Sequence, residues 1–132
     1  MTSAGYRPVA FIDWETAGPV DPLVELAQLA WLNAKLHDDI IAEREHLPPL
    51  AERARQLAAI VDAYGLTARQ RRGFVNQIIE FAICDTAGEA DEAGVIPETT
   101  AGPVALWAMA WRARSAAWMI RNRRILETAL AR

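Results

Sequence analysis

The chain has 132 residues, of which 52% are hydrophobic and 23% charged, with a formal net charge of -3. This composition excludes a disordered chain, and the length predicts a single domain over residues 1–132. The charge argues against nucleic acid or an anionic membrane surface as a partner. The chain shows no signal peptide and no apolar run long enough for a bilayer, so we expect a cytoplasmic protein.

The first predicted element is a short buried strand or hairpin at residues 9–12, an apolar run bounded by turn residues. Asp21 and Pro22 then predict the start of a helix over about 22–36. Aspartate can cap the free amides of a first turn, and proline suits the first helical position.

Further helices are predicted at 38–45, 50–64, 67–92 and 103–130. Gly65 is expected to end the second of these, and Thr67 with Gln70 forms a capping box that opens the third. The predicted fold is therefore mainly α, a helical bundle of four to five helices preceded by one short β-strand or hairpin.

Residues 11–27 read FIDWETAGPVDPLVELA. This segment resembles a signature of aminoglycoside phosphotransferases, choline kinases and their relatives, which have a protein-kinase-like fold. In that family an apolar strand ends in Ile-Asp-Trp or Ile-Asp-Phe, and a turn leads to Gly-Asp-Pro and a helix. The resemblance is good between residues 9 and 27, and beyond them only helical character continues.

The resemblance implies that Asp13 matches a magnesium-binding aspartate, and that Asp21, Pro22 and Glu25 belong to the structural motif. Val20 stands where the family has glycine, and Glu25 where it has aspartate. Complete members use Mg²⁺ and ATP to phosphorylate a small-molecule hydroxyl. This chain looks truncated, because the catalytic loop and the nucleotide-binding lobe are missing. We therefore assign no catalytic residue and expect the chain alone to be inactive and to bind neither cofactor.

Two charged groups lie on the predicted helices. Asp85, Glu89 and Glu92 share one helical face, which is either a contact for a cationic substrate or a solvated surface. Five arginines make the last helix basic, so that it either contacts an anion or is simply solvated. These arginines are at positions 112, 114, 121, 123 and 124.

Uncharged and titratable residues receive mainly structural predictions. The helical spacing of Trp107, Trp111 and Trp118 predicts that they belong to the core. Cys84 is expected to be a buried small hydrophobic residue. His37 and His46 have no cysteine or acidic cluster at ligand spacing, so zinc is not predicted.

Two functions follow. The first is a truncated member of the kinase family. It would self-associate through the edge of strand 9–12 or need a partner that supplies the missing lobe. The alternative is a non-catalytic helical binding or toxin-immunity-like module, because some relatives with a similar turn look like toxin-immunity proteins.

Overall fold

The computed structural model describes residues 21–131, and this part of the chain is mainly helical, as predicted. Within it there are six α-helices and no strand. The predicted strand at 9–12 lies outside the described residues. The helices are α1 (Pro22–Asn33), α2 (Asp39–Glu45), α3 (Leu50–Ala63), α4 (Ala68–Glu92), α5 (Pro103–Arg121) and α6 (Arg123–Leu130).

The predicted caps are confirmed by their hydrogen bonds. The carboxylate of Asp21 accepts from the backbone N–H of Leu23 at 2.9 Å, and Pro22 is the first residue of α1. The Thr67 hydroxyl accepts from the Gln70 N–H at 3.1 Å, and the Gln70 side chain accepts from the Thr67 N–H at 2.8 Å. Both reciprocal bonds of the capping box are thus present at the start of α4.

Helix α1 ends at Asn33 and not near residue 36 as predicted. Lys35 adopts a φ of 59°, which reverses the chain, and the N–H of Leu36 donates to the carbonyl of Trp31 at 3.1 Å. This closing bond is typical of helix ends, but a left-handed residue there is usually glycine. The reversal buries Leu36 and His37 against the bundle.

The predicted helix over 103–130 is in fact two helices, α5 and α6, separated at Asn122. The Asn122 side-chain amide donates to the carbonyl of Trp118 at 2.9 Å, the same carbonyl that accepts the Asn122 backbone N–H. Asparagine side chains that bond nearby backbone in this way compete with helix continuation. The backbone at Asn122 accordingly leaves the helical region, with φ −105° and ψ 15°.

The core lies where α4 packs against α1 and α5, and where α3 packs against α6. From residue 83 to residue 114 no side chain is buried. The C-terminal part of α4, the following loop and the first half of α5 therefore form a hairpin at the periphery. The largest fully buried side chains include Trp31, Phe74, Leu57, Ile78 and Met119.

Candidate functional site

An aromatic cleft of about 310 Å³ opens between α2 and the peripheral half of α5. We call it the aromatic cleft, and its lining residues are Leu32, His37, Ile41, Arg44, Glu45, Trp107 and Trp111. Arg44 and Glu45 are exposed and place one charge of each sign at the rim. A concave site with apolar walls and a few polar groups is the usual form of a ligand-binding site.

Two lining residues of the cleft, His37 and Trp111, belong to a cluster of aromatic rings that continues into the core behind them. The Trp111 ring centre lies 5.5 Å from that of Trp31 and 5.6 Å from that of His37, with the imidazole nearly perpendicular at 86°. Phe81 extends the cluster at 6.0 Å from Trp31. The guanidinium carbon of Arg112 lies 4.4 Å from the Trp111 ring centre, a cation–π contact that fixes this tryptophan.

His37 is buried at the base of the cleft and shares a hydrogen bond with Ser115, with 3.2 Å between Nδ1 and Oγ. Burial lowers the pKa of His37, so the imidazole is neutral at pH 7. A histidine beside a serine is also the pair used in nucleophilic catalysis. Ser115 is fully buried at 0% exposure, however, so its hydroxyl cannot meet a substrate, and the bond is structural.

Arg53 holds the backbone beside the cleft in place. Its guanidinium donates to the carbonyls of Lys35 at 2.9 Å, His37 at 3.0 Å and Pro48 at 2.9 Å. These carbonyls lie in the connection before α2 and the connection after it. Burial lowers the pKa of Arg53, with Asp39 opposing that effect. One side chain from α3 thus fixes both ends of the segment that lines the cleft.

The predicted acidic group on α4 is brought together only in part. Asp85 accepts from Nε of Arg112 at 2.7 Å, and Glu89 lies 3.7 Å from Nη2 of the same arginine. Glu92, the last residue of α4, is exposed. A cationic ligand would have to compete with Arg112 for Asp85 and Glu89, and contact with such a substrate stays an untested prediction.

The residues of the predicted motif lie elsewhere. Asp21, Pro22 and Glu25 line a cavity of about 500 Å³ at the start of α1, away from the aromatic cleft. Asp13 lies outside the described residues, so its assignment as a metal ligand stays untested. Within residues 21–131, no three His, Cys, Asp or Glu side chains gather into a group that could hold a metal ion.

An arginine-lined cavity of about 830 Å³ lies at the junction of α4, α5 and α6. We call it the arginine cavity, and its lining includes Arg71, Arg72, Arg121, Arg123, Arg124, Glu127 and Thr128. The basic last helix of the prediction is therefore divided. Arg112 is paired with acidic residues, whereas the arginines at 121, 123 and 124 meet two more from α4.

Three single-residue predictions meet the structure differently. Trp118 is buried, as predicted, but Trp107 is 40% exposed because its part of α5 has no core beneath it. Cys84 is exposed and not buried as predicted, since it faces outward from α4. The His37 site was missed, because its partners Trp111 and Ser115 are far away in sequence.

None of the helices in the described part of the chain is long and apolar enough to cross a membrane.

Comparison with known proteins finds a relative that bears on the choice between the two predicted functions. The chain is 54% identical, over 125 residues, to the trifolitoxin immunity protein of Rhizobium leguminosarum bv. trifolii. The aligned region is 94% of this chain and 47% of that protein, so the chain spans about half the length of the relative. No family profile matches the chain, and no solved structure matches it.

This similarity overturns the assignment to the aminoglycoside phosphotransferase and choline kinase family. It covers nearly the whole chain, whereas the kinase resemblance was carried by residues 9–27 alone. The relative is named for immunity and not for phosphotransfer. The truncated-kinase function was therefore wrong, together with the transferase chemistry that it implied, and the immunity-like alternative is the better supported one.

Proposed function

We propose that this chain is a toxin-immunity module that protects by binding a toxin in the aromatic cleft, without chemical conversion. The observation that carries the proposal is the 54% identity to the trifolitoxin immunity protein. Identity at that level over 125 residues supports a common fold and a related role. Because the relative is about twice as long, the sufficiency of this chain for protection is part of the proposal.

The aromatic cleft is the surface best suited to holding a toxin. Trp107 is partly exposed, and Trp111 beside it is fixed by stacking with Arg112 and Trp31. Tryptophan and arginine are the residue types that most often dominate binding energy at protein interfaces. The neutral, buried His37 supports the wall and leaves Arg44 and Glu45 as the charges at the rim.

Protection is tested by expressing residues 1–132 in a trifolitoxin-sensitive bacterium and measuring growth inhibition. We expect the chain to protect, and Trp107→Ala to weaken toxin binding by about thirtyfold, the effect of losing an anchor worth roughly 2 kcal/mol. Leu106→Ala is the matched control, because Leu106 is exposed on the same turn and lies outside the cleft.

Binding is measured on the purified chain by calorimetry, with circular dichroism to establish that each variant is folded. A folded wild-type chain that neither binds trifolitoxin nor protects would overturn the proposed function. Equal loss in Trp107→Ala and Leu106→Ala would reject the aromatic cleft as the binding surface while leaving toxin immunity in place.

A further inference from the structure

We propose that the arginine cavity is a binding site for a small phosphate-bearing anion, separate from the proposed toxin-binding cleft. The first argument is its charge. Among the described residues of the lining there are five arginines and one carboxylate, that of Glu127. Arg71 is engaged with Asp62 at 2.8 Å and with the carbonyl of Leu66 at 3.0 Å.

The other four cavity arginines form no ion pair within residues 21–131. The chain as a whole carries a net charge of -3. Four cations that have no carboxylate partner among the described residues therefore gather on a molecule with an excess of acid. An anion lying among them would relieve their mutual repulsion, so the charge pattern favours an anionic ligand.

The second argument is an unsatisfied donor. Nε of Arg123 is buried and has no hydrogen-bond partner within residues 21–131. Buried polar atoms in proteins nearly always have a partner, and a charged donor without one is especially unfavourable. Arg123 lines the arginine cavity. An anion in the cavity would bring acceptor oxygens to the same side chain.

The third argument is the chemistry of the lining. A guanidinium donates through two parallel N–H groups, which match the oxygens of phosphate. Thr128 adds a hydroxyl, and Glu127 can accept from hydroxyl groups of a ligand but would repel bare anions. The volume of about 830 Å³ suits a small molecule. The ligand class is thus a phosphate ester that also carries hydroxyls, or free phosphate oxyanions of similar size.

Calorimetric titration of the purified chain at low ionic strength tests the site with two probes, inorganic pyrophosphate and glucose 6-phosphate. We expect saturable binding of at least one probe. Tighter binding of glucose 6-phosphate would identify an organic phosphate, and tighter binding of pyrophosphate a free polyphosphate. Absence of saturable binding of both would overturn the proposal.

The paired substitution Arg121→Gln and Arg124→Gln should weaken binding by about tenfold for each arginine removed. Both positions are exposed, so the fold should survive. The control pairs Arg55→Gln with Arg114→Gln, which are exposed, outside the cavity and equal in charge change. If the control pair weakens probe binding equally, the effect comes from the lower net charge, and the arginine cavity is rejected as the binding site.

A second variant probes the opposite wall of the cavity. Arg72→Gln on α4 should weaken binding by about tenfold, because this arginine faces the same cavity from another helix. Trp107→Ala, in the aromatic cleft, should leave anion binding unchanged. Loss of anion binding in Trp107→Ala would contradict the separation of the two sites, whereas failure of toxin binding alone leaves the anion site intact.

Discussion

The guanidinium carbon of Arg53 lies 4.7 Å from the ring centre of Trp118, so that the buried cation stacks on a buried indole. The face of the guanidinium contacts the ring while its N–H groups donate to three carbonyls around α2. Arg53 therefore connects α3, α5 and the segment that lines the aromatic cleft. Within the described residues, no carboxylate forms an ion pair with it.

Arg53→Met should lower the free energy of unfolding by about 3 kcal/mol, because three carbonyls lose their donor while the apolar packing is largely kept. Urea denaturation measures the change. Arg55→Met is the control, since Arg55 is exposed on the same helix, and its effect should stay within about 0.5 kcal/mol. Equal effects at the two positions would show that the carbonyl contacts contribute little.

Stability should fall as the pH falls below the ordinary histidine pKa of about 6.5. Burial lowers the pKa of His37; Glu45 opposes this, Lys35 and Arg53 add to it, and Asp38 opposes it. At a pH between the folded and the unfolded pKa of His37, the imidazole is therefore protonated in the unfolded chain and neutral in the folded chain. The contribution is complete above the unfolded pKa and is lost as pH decreases through 6.5 toward the folded value.

Denaturation of wild type and His37→Gln across pH 5 to 8, roughly the range in which histidine titrates, checks this dependence. The variant should have a lower free energy of unfolding than wild type at pH 8. Its free energy of unfolding should then decrease less than that of wild type between pH 8 and pH 5. If the free energy of unfolding depends on pH in the same way in both proteins, His37 is not the group that causes the loss of stability at low pH.

Asp85→Asn should lower stability by only about 0.5 to 1 kcal/mol, although its ion pair with Arg112 is short at 2.7 Å. The Asp85 side chain is 33% exposed, so solvent screens the charge. A double-mutant cycle with Arg112→Met measures the coupling between the two residues. Glu92→Gln, at an exposed position on the same helix, is the comparison, and a larger loss there would reject the ion pair as the cause.

Trp31→Ala should lower stability by about 3 to 5 kcal/mol, because it empties a site that is 1% exposed in the core. Trp31→Phe should cost much less, about 1 to 2 kcal/mol, since it retains a ring and removes a buried Nε1 donor that has no partner in the part of the chain that the structure describes. Equal losses in the two variants, measured by urea denaturation, would show that Nε1 has a stabilising partner.

Features that depend on neighbours in sequence could be predicted. Asp21 before Pro22, and Thr67 three residues before Gln70, specify helix starts because the capping bonds span only two or three residues. Gly65 ends α3 with a φ of 67°, which glycine adopts without strain. The helical class and most helix boundaries follow from such local rules.

Features that depend on contacts between residues distant in sequence could not be predicted. Lys35 takes a left-handed φ of 59° at a position where the sequence has no glycine, because tertiary packing of Leu36 and His37 favours the reversal. The aromatic cleft joins His37 with Trp111, and spacing within one helix cannot reveal such a meeting. The same limit misplaced Trp107, whose helical spacing matches that of a core residue although no core lies beneath it.

The position of residues 83–114 outside the core determines where the folded molecule opens locally. Local opening of a segment requires loss of the apolar contacts that hold it, and this hairpin has no buried side chain to lose. Its backbone amides therefore exchange with solvent at a smaller free-energy cost than those of Phe74 to Ala82, which lie in the core part of the same helix. Trp107 belongs to this hairpin, whereas Trp111 is held against Trp31 and the core. We therefore expect local opening at the Trp107 side of the aromatic cleft while the rest of the bundle stays folded.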